Sequence, residues 1–202
     1  MVTRGFMGTK RSDAAGRIPP GQYLETGFPV LSAGPTQRSP LDRWTFSVED
    51  RNGMQLATWS WEQFVALPQT QITTDIHCVT KWSKLDTQWK GVTVDDILTA
   101  AGISEPPDEY LMAFCEGGYT TNLPLRDVVN GRGMVAHEFD GDPLAAEHGG
   151  PARLLVPHLY FWKSAKWVRG LRFMPEDQPG FWEAYGYHMY GDPWKEQRYT
   201  ND

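Results

Sequence analysis

The sequence predicts an α+β fold in which mixed β-sheets carry a few short helices. Many short segments alternate apolar and polar residues or are rich in β-branched residues, as strands are. Two segments carry the capping pattern of short helices, and the helices interrupt the strands at irregular intervals. A regular series of βαβ units would instead alternate strand and helix throughout, so a parallel doubly wound sheet is not expected.

The N-terminal part of the chain differs in composition from the rest. Residues 1–40 are rich in Gly, Pro, Ser and Thr, so we expect a flexible tail over residues 1–26, with roughly the first 17 residues mobile. Residues 27–40, GFPVLSAGPTQRSP, read as an extended segment laid on the domain. The remainder, 27–202, is long enough to bury one hydrophobic core and is predicted to form a single domain.

The first half of this domain predicts a hairpin, a helix and a strand. Alternation in RWTFSVED, the turn RNG and the segment MQLATW indicate a β-hairpin. Ser60 and Gln63 form a capping box that opens the helix WEQFVAL, which Pro68 ends. The β-branched run QITTDIHCV (71–79) is a strand, so Cys78 lies where that strand meets a loop.

The second half predicts one further capped helix and mostly strands. Thr93 and Asp96 cap the helix VDDILTAA, which Gly102 closes. YLMAF (110–114) is a buried strand, and PLRDVVNG (124–131) is expected to be a short helix. MVAHEF, ARLLVP (152–157) and KWVRGLRFM (166–174) complete the strands. The aromatic segment that follows has no clean period and is interpreted as a loop that covers another part of the molecule.

Composition and charge exclude several functions. A net charge of −6 and a pI near 5.4 argue against a surface that tracks nucleic acid or anionic lipid. The sequence shows neither the ~18 apolar residues of a membrane span nor the apolar segment of a secretory signal, so a cytoplasmic location is expected. The Rossmann and P-loop fingerprints are also absent from the sequence.

Cys78 and Cys115 are too few for a disulfide scaffold. Cys78 is either an ordinary small apolar residue or a reactive one, and the nearby His77 and Lys81 would favour its thiolate. A zinc site lacks support, because C-x-x-C does not occur and HEFDG fails the H-E-x-x-H pattern. A hydrolase that uses a cysteine and a distant histidine remains an alternative.

A basic cluster stands around the glycines of residues 140–167. His148, Arg153, Lys163 and Lys166 lie among short predicted strands. Fixed cationic donors of this kind can hold a ligand that carries a phosphate. Solvated surface charge is the competing interpretation.

Three ordered motifs resemble those of one known family. HCVTKWS, GGYTTNLPL and DGDPLAAEHGGPARLLVPHLYFWKSAKW are similar to successive motifs of the sulfite oxidase superfamily of molybdopterin-dependent oxidoreductases, which includes bacterial methionine-sulfoxide reductase catalytic subunits. The resemblance runs from about residue 27 to the C-terminal segment and implies the molybdopterin-binding fold of that family. It also implies a molybdenum-molybdopterin cofactor, with Cys78 as the metal's protein ligand and the pterin dithiolene as the source of its other sulfurs.

The resemblance assigns further residues to the site. Tyr119 matches a tyrosine that reaches the substrate pocket of sulfite oxidases, and Tyr119 and Lys81 are candidates to orient the transferred oxygen or balance its charge. Cys115 lies near a position where reductases contact the cofactor through threonine, although a core position is the alternative. The residues implied to hold the anionic pterin are His148, Arg153, Ser164, Ala165 and Lys166.

The chain also departs from the family pattern. Val79 to Ser83 replace the Gly-Asn-Arg stretch that follows the cysteine in sulfite oxidases. The anion-binding arginine is therefore missing, which argues against sulfite as the substrate. Aromatic residues at Phe161, Trp162 and in the C-terminal segment would either wall a substrate mouth or close the core.

The function implied is that of an oxidoreductase that transfers an oxygen atom to or from a small sulfur- or nitrogen-centred substrate. The sequence has no haem, iron–sulfur or flavin motif, so electron transfer with a separate flavin or iron–sulfur redox partner is expected. Neither nucleic acid nor a membrane is an expected partner, and a monomer is. A non-catalytic molybdopterin-binding module and a cysteine hydrolase are the alternatives.

Overall fold

The computed structural model describes residues 16–202 and confirms an α+β fold of two β-sheets with short helices. The three α-helices are α1 (Trp61–Val65), α2 (Val94–Ala100) and α3 (Phe181–Ala184). The strands are β1 (Tyr23–Leu24), β2 (Thr45–Glu49), β3 (Gln55–Ser60), β4 (Thr70–His77), β5 (Trp82–Thr93), β6 (Tyr110–Cys115), β7 (Thr120–Pro124), β8 (Met134–Phe139), β9 (Asp142–Pro143), β10 (Arg153–Leu155) and β11 (Val168–Met174).

The first sheet has five strands in the order β3-β2-β11-β6-β7. Its neighbours are antiparallel except β2 and β11, which run parallel, so the sheet is mixed. The predicted hairpin is confirmed as β2 and β3, and the predicted strands 110–114 and 166–174 are confirmed as β6 and β11. Phe46 and Val48 of β2 face the larger hydrophobic core together with Leu171 and Phe173 of β11.

The second sheet has six strands and is organised around the long strand β5. β5 pairs with β4, with β8 and, in parallel, with β1, while β10 and β9 extend the sheet from β8. Gly91 is required in β5, because a Cβ there would lie 2.1 Å from the carbonyl oxygen of Val135 in β8. The sequence analysis identified β4, β8 and β10 but not β5.

Local capping explains the two helices that were predicted correctly. The Ser60 side chain accepts the N–H of Gln63 while the Gln63 side chain accepts the N–H of Ser60, which is the capping box expected for α1. Thr93 likewise accepts the N–H of Asp96 at the start of α2. Each cap satisfies backbone donors that the first turn of a helix leaves free.

The helix predicted over residues 124–131 is wrong. Only a 3-10 turn forms there, Leu125–Asp127. Asn130 and Gly131 adopt positive φ values of 59° and 72°, which ends any helix, and their N–H groups donate to Asp95. The segment is short because Pro124 still belongs to β7.

The predicted N-terminal tail is corrected in part. Residues 1–15 lie outside the described residues. From residue 16 onward the chain lies on the domain, since Arg17 forms ion pairs with Asp75 and Asp86 and β1 pairs with β5. Residues 27–40 contain no regular element and lie on the domain as an extended segment, as expected.

Over residues 16–202, no helix is long and apolar enough to cross a bilayer. The longest, α2, has seven residues.

Candidate active site

A cavity of about 400 Å³, here called the main cavity, opens where five separate stretches of the chain meet. The stretches are residues 28–37, 78–82, 116–119, 148–167 and 181–187. Of the residues that the sequence analysis selected, those that line the main cavity are Cys78, Tyr119, His148, Arg153, Ser164, Ala165 and Lys166. Residues far apart in sequence are therefore brought to one site.

Cys78 follows the last residue of β4 and is 7% exposed. A tight turn fixes it: its N–H donates to the Trp82 carbonyl at 2.8 Å, and the Lys81 N–H donates to the Cys78 carbonyl at 3.0 Å. Burial raises the pKa of the thiol, and the Thr80 hydroxyl, 3.1 Å from the sulfur, acts in the opposite direction. The positive charge of Arg153 also lowers this pKa.

His77 and Lys81 were expected to favour the Cys78 thiolate, but both side chains lie in other surroundings. The His77 Nδ1 is 2.8 Å from the Ser83 hydroxyl, and His77 does not line the main cavity. Lys81 has φ 76° and lines a second cavity of about 630 Å³ beside Lys195 and Arg198. Burial raises the pKa of Cys78 overall, and the side chains that act against this are Thr80 and Arg153 rather than the expected His77 and Lys81.

Arg153, the first residue of β10, is 1% exposed and lines the main cavity. Its guanidinium donates to the carbonyls of His148, at 2.8 Å, and of Ser164, and lies 3.9 Å from the Phe161 ring centroid. Within the described chain it has no carboxylate partner, and its Nε is buried without a hydrogen bond. Burial lowers the pKa of Arg153 because the charge has lost its water.

His148 and Lys166 lie beside Arg153. The His148 ring stacks on Phe28 at 3.8 Å, and its Nδ1 is buried without a partner in residues 16–202. Lys166 donates through Nζ to the carbonyls of Leu31 and Glu147. Burial, followed by the charge of Arg153, lowers the pKa of Lys166 to about 8. The side chains of His148, Arg153 and Lys166, each with at least one ring, guanidinium or amine nitrogen, thus lie together on one wall of the cavity.

Ser164 and Ala165 shape the same wall through the backbone. The Ser164 hydroxyl accepts the N–H of Val156 at 2.9 Å, and its carbonyl accepts Arg153. The Ala165 carbonyl accepts the N–H of Leu154 at 2.9 Å. These bonds hold β10 to residues 164–166, here called the lysine segment, and they fix the direction of the Arg153 side chain.

Tyr119 lines the main cavity, and its hydroxyl donates to the Trp162 carbonyl at 2.7 Å. Burial raises its pKa well above the usual value. Lys163, which sequence analysis grouped with the basic cluster, lies elsewhere: it is fully buried and forms an ion pair with Glu183 at 2.6 Å. Lys163 therefore has a carboxylate partner, whereas Arg153 has none within residues 16–202.

Two of the residues that the family resemblance assigned to the site, Lys81 and Cys115, do not line the main cavity. Cys115 is 8% exposed and belongs to the larger hydrophobic core. Burial raises the pKa of its thiol, which disfavours ionisation. Its core interpretation is the one that the packing supports.

Sequence reasoning missed Thr80 and Phe28. Thr80 contacts the Cys78 sulfur, and Phe28 packs in the second hydrophobic cluster, which also contains Trp82, Trp89 and Phe161. Among the aromatic residues discussed for a substrate mouth, Phe161, Trp162, Trp182 and Tyr187 line the main cavity, whereas Tyr185 is 73% exposed. A hydroxyl two residues after the cysteine was the only signal for Thr80.

Comparison with known proteins decides the family. Residues 33–182 match the oxidoreductase molybdopterin binding domain family. The chain belongs to this family. It is a molybdopterin-dependent oxidoreductase, and the resemblance read from the three motifs is confirmed.

Relatives of this oxidoreductase differ in length. It is 46% identical over 198 residues to the oxidoreductase YuiH of Bacillus subtilis, covering 98% of this chain and 99% of that protein. It is 28% identical to YedZ1 of Azospira oryzae, named as a protein-methionine-sulfoxide reductase subunit, over 66% of this chain and 50% of that one. For mitochondrial sulfite oxidase of Drosophila melanogaster the identity is 24%, over 82% of this chain and 32% of the other.

A solved structure has the same fold. The sulfane dehydrogenase SoxCD of Paracoccus pantotrophus matches with a TM-score of 0.61 and 21% identity, covering 70% of this chain and 40% of that one. The mixed sheets with short helices therefore form the molybdopterin-binding fold that the motifs implied.

The oxidoreductase uses molybdenum bound to molybdopterin, as its family does. The side chains of the main cavity fit such a group. Arg153 is a buried cation without a carboxylate among the described residues, and Arg153 Nε and His148 Nδ1 are buried there without partners. Buried polar atoms of this kind ordinarily have a hydrogen-bond partner, and an anionic ligand with acceptor oxygens supplies one to Arg153 Nε.

Proposed function

We propose that the enzyme transfers an oxygen atom to or from a small substrate with a sulfur or nitrogen lone pair, and that Cys78 is the protein's sulfur ligand to molybdenum. The observation that carries the proposal is a buried cysteine sulfur and a buried, carboxylate-free Arg153 lining one cavity of the described structure. When bound, the cofactor supplies the two-electron redox chemistry that side chains cannot supply.

In this proposal the wall formed by β10 and the lysine segment holds the anionic part of the cofactor. Arg153 and Lys166 provide charge, and His148 provides a ring nitrogen. Ser164 and Ala165 contribute by fixing the backbone to which these side chains are attached. Binding an anion also compensates the burial of the Arg153 charge, so retention of the cofactor is favoured.

The substrate occupies the part of the cavity walled by aromatic side chains. Phe161, Trp162 and Trp182 line it and restrict the access of water. The two cations that line the cavity face the cofactor in this proposal, and the arginine of the sulfite oxidase motif is absent from the sequence, so an uncharged organic substrate is favoured over a small inorganic anion. A thioether or its sulfoxide meets this description and agrees with the name of the YedZ1 relative.

Tyr119 is the residue proposed to orient the substrate oxygen. To do so, its hydroxyl turns from the Trp162 carbonyl, which it contacts at 2.7 Å, to the substrate. The similar role considered for Lys81 loses support, because Lys81 lines the neighbouring cavity. A cysteine hydrolase also loses support, since the recorded side-chain partner of the Cys78 sulfur is Thr80 rather than a histidine.

We further propose that electrons are exchanged with a separate flavin or iron–sulfur protein, and that the enzyme is a cytoplasmic monomer. The first part rests on the absence of haem, iron–sulfur and flavin motifs from the sequence. The electron partner is tested by mixing the purified enzyme with isolated flavin or iron–sulfur proteins and following its reduction by optical spectra. The monomeric state is tested by light scattering.

The function is tested with Cys78→Ser and the matched control Cys115→Ser, both produced in a molybdenum-replete host. Wild type and the control should contain molybdenum and pterin and should reduce dialkyl sulfoxides with a reduced viologen dye. Cys78→Ser should bind pterin and lose turnover. Wild-type protein free of both molybdenum and pterin, or a Cys78→Ser variant with wild-type turnover, would contradict the proposal.

A further inference from the structure

The turn that carries Cys78 also aims a hydroxyl at its sulfur. Thr80 Oγ1 lies 3.1 Å from Cys78 Sγ, although Thr80 itself is exposed to the main and second cavities. The sulfur is otherwise enclosed, since the side chain of Cys78 packs in the second hydrophobic cluster. This hydroxyl is the side-chain donor that the described structure gives to the sulfur.

The backbone fixes this contact. Lys81 has φ 76°, and its N–H donates to the Cys78 carbonyl, so residues 78–82 form a closed turn. Gln22 Nε2 donates to the same carbonyl at 3.1 Å. Thr80 is β-branched, which restricts its first side-chain torsion. The hydroxyl is thereby held on the sulfur side of the turn.

We infer that Thr80 is a positioning residue that tunes the metal through the Cys78 sulfur. The inference rests on the proposed function, in which this sulfur is a thiolate bound to molybdenum. A metal-bound thiolate has no proton, so the hydrogen bond runs from the Thr80 hydroxyl to the sulfur. Hydrogen bonds to a ligating sulfur withdraw electron density from it, which raises the reduction potential of the metal.

Thr80→Val is the central variant, because valine keeps the shape of threonine and removes the donor. We expect it to lower the molybdenum potential, with a roughly tenfold change in the one-electron reduction equilibrium, or ~59 mV. The absorption band from cysteine sulfur to metal should move to longer wavelength. Thr80→Ser should restore both values, whereas Thr73→Val, an exposed change on the same hairpin, should alter neither.

The measurements are a redox titration followed by the electron paramagnetic resonance signal of the reduced metal, and the optical spectrum. Molybdenum and pterin content are determined first for every sample. Wild-type protein without molybdenum would contradict the proposed function. A molybdenum-loaded wild type whose potential and spectrum are unchanged in Thr80→Val would contradict the role of Thr80 alone. Thr80→Ala, which cannot crowd the sulfur, is measured in parallel and should change both in the same direction as Thr80→Val.

Discussion

Replacing Arg153 by methionine should separate cofactor binding from folding. The variant removes the charge of a residue that is only 1% exposed and that has no carboxylate partner among residues 16–202. If the arginine serves the cofactor, its loss should be tolerated by the cofactor-free protein and be damaging only to the loaded one. A purely structural arginine would show the reverse.

The structure gives the size of the effect on folding. Burial lowers the pKa of Arg153 to about 9 from the ordinary value of a guanidinium, which corresponds to ~5 kcal/mol of charge burial relieved by methionine, at ~1.4 kcal/mol for each pKa unit. Against this, two hydrogen bonds to the carbonyls of His148 and Ser164 are lost, at ~1–3 kcal/mol each. The contact with the Phe161 ring contributes ~2 kcal/mol more.

These contributions nearly cancel, so the free energy of unfolding of the cofactor-free variant should lie within ~3 kcal/mol of wild type. In the loaded enzyme, losing one partner of a buried ion pair costs ~3–5 kcal/mol, so cofactor retention should weaken at least a hundredfold. Denaturant unfolding of cofactor-free protein and molybdenum analysis of purified protein measure the two effects. Arg126→Met, at a side chain that is 75% exposed, is the control. Wild-type cofactor content in Arg153→Met would refute the reasoning.

Two further predictions follow from the same structure. The pKa of Lys166 is lowered from 10.5 to about 8, so its charged form destabilises the cofactor-free fold below pH 8 and this penalty is relieved as pH rises toward 10.5. The free energy of unfolding of wild type, relative to that of Lys166→Met, should therefore increase between pH 8 and 10.5. A difference that does not change with pH would contradict this prediction. The charged and titratable groups around the lysine are the same in both proteins: Arg153, Glu147, Cys78 and His148. Gly91→Ala should lower the free energy of unfolding of the protein by ~3 kcal/mol or more, because the new Cβ would lie 2.1 Å from the Val135 carbonyl oxygen. A denaturant midpoint equal to that of wild type would contradict this prediction.

Features with a local cause could be predicted from the sequence. The capping pair Ser60 and Gln63 identified α1, and the β-branched run before Cys78 identified β4 and the loop that follows it. The strand β5 was not identified, because Trp82, Ser83, Lys84 and Leu85 show no alternation. β5 instead lies between β4 and β8, so its conformation is set by its neighbours rather than by its own pattern.

The candidate site was predictable as a group but not in its contacts. Three ordered motifs selected residues that the fold brings to one cavity. Which neighbour of Cys78 touches the sulfur depends on the positive φ of Lys81, which directs Lys81 away and leaves Thr80 in place. Whether a cation forms an ion pair also depends on residues that are distant in sequence. Lys163 pairs with Glu183 of α3, whereas Arg153 has no carboxylate partner within the described chain.

The segments around the main cavity are contributed late as well as early in the chain. Residues 28–37 line one part of it, and Lys166 donates a hydrogen bond to the Leu31 carbonyl in this segment. Residues 181–187 line another part. Residues 181–187 must therefore have left the ribosome before the main cavity is complete. Loading of metal and pterin into the complete cavity consequently follows the synthesis of residues 181–187.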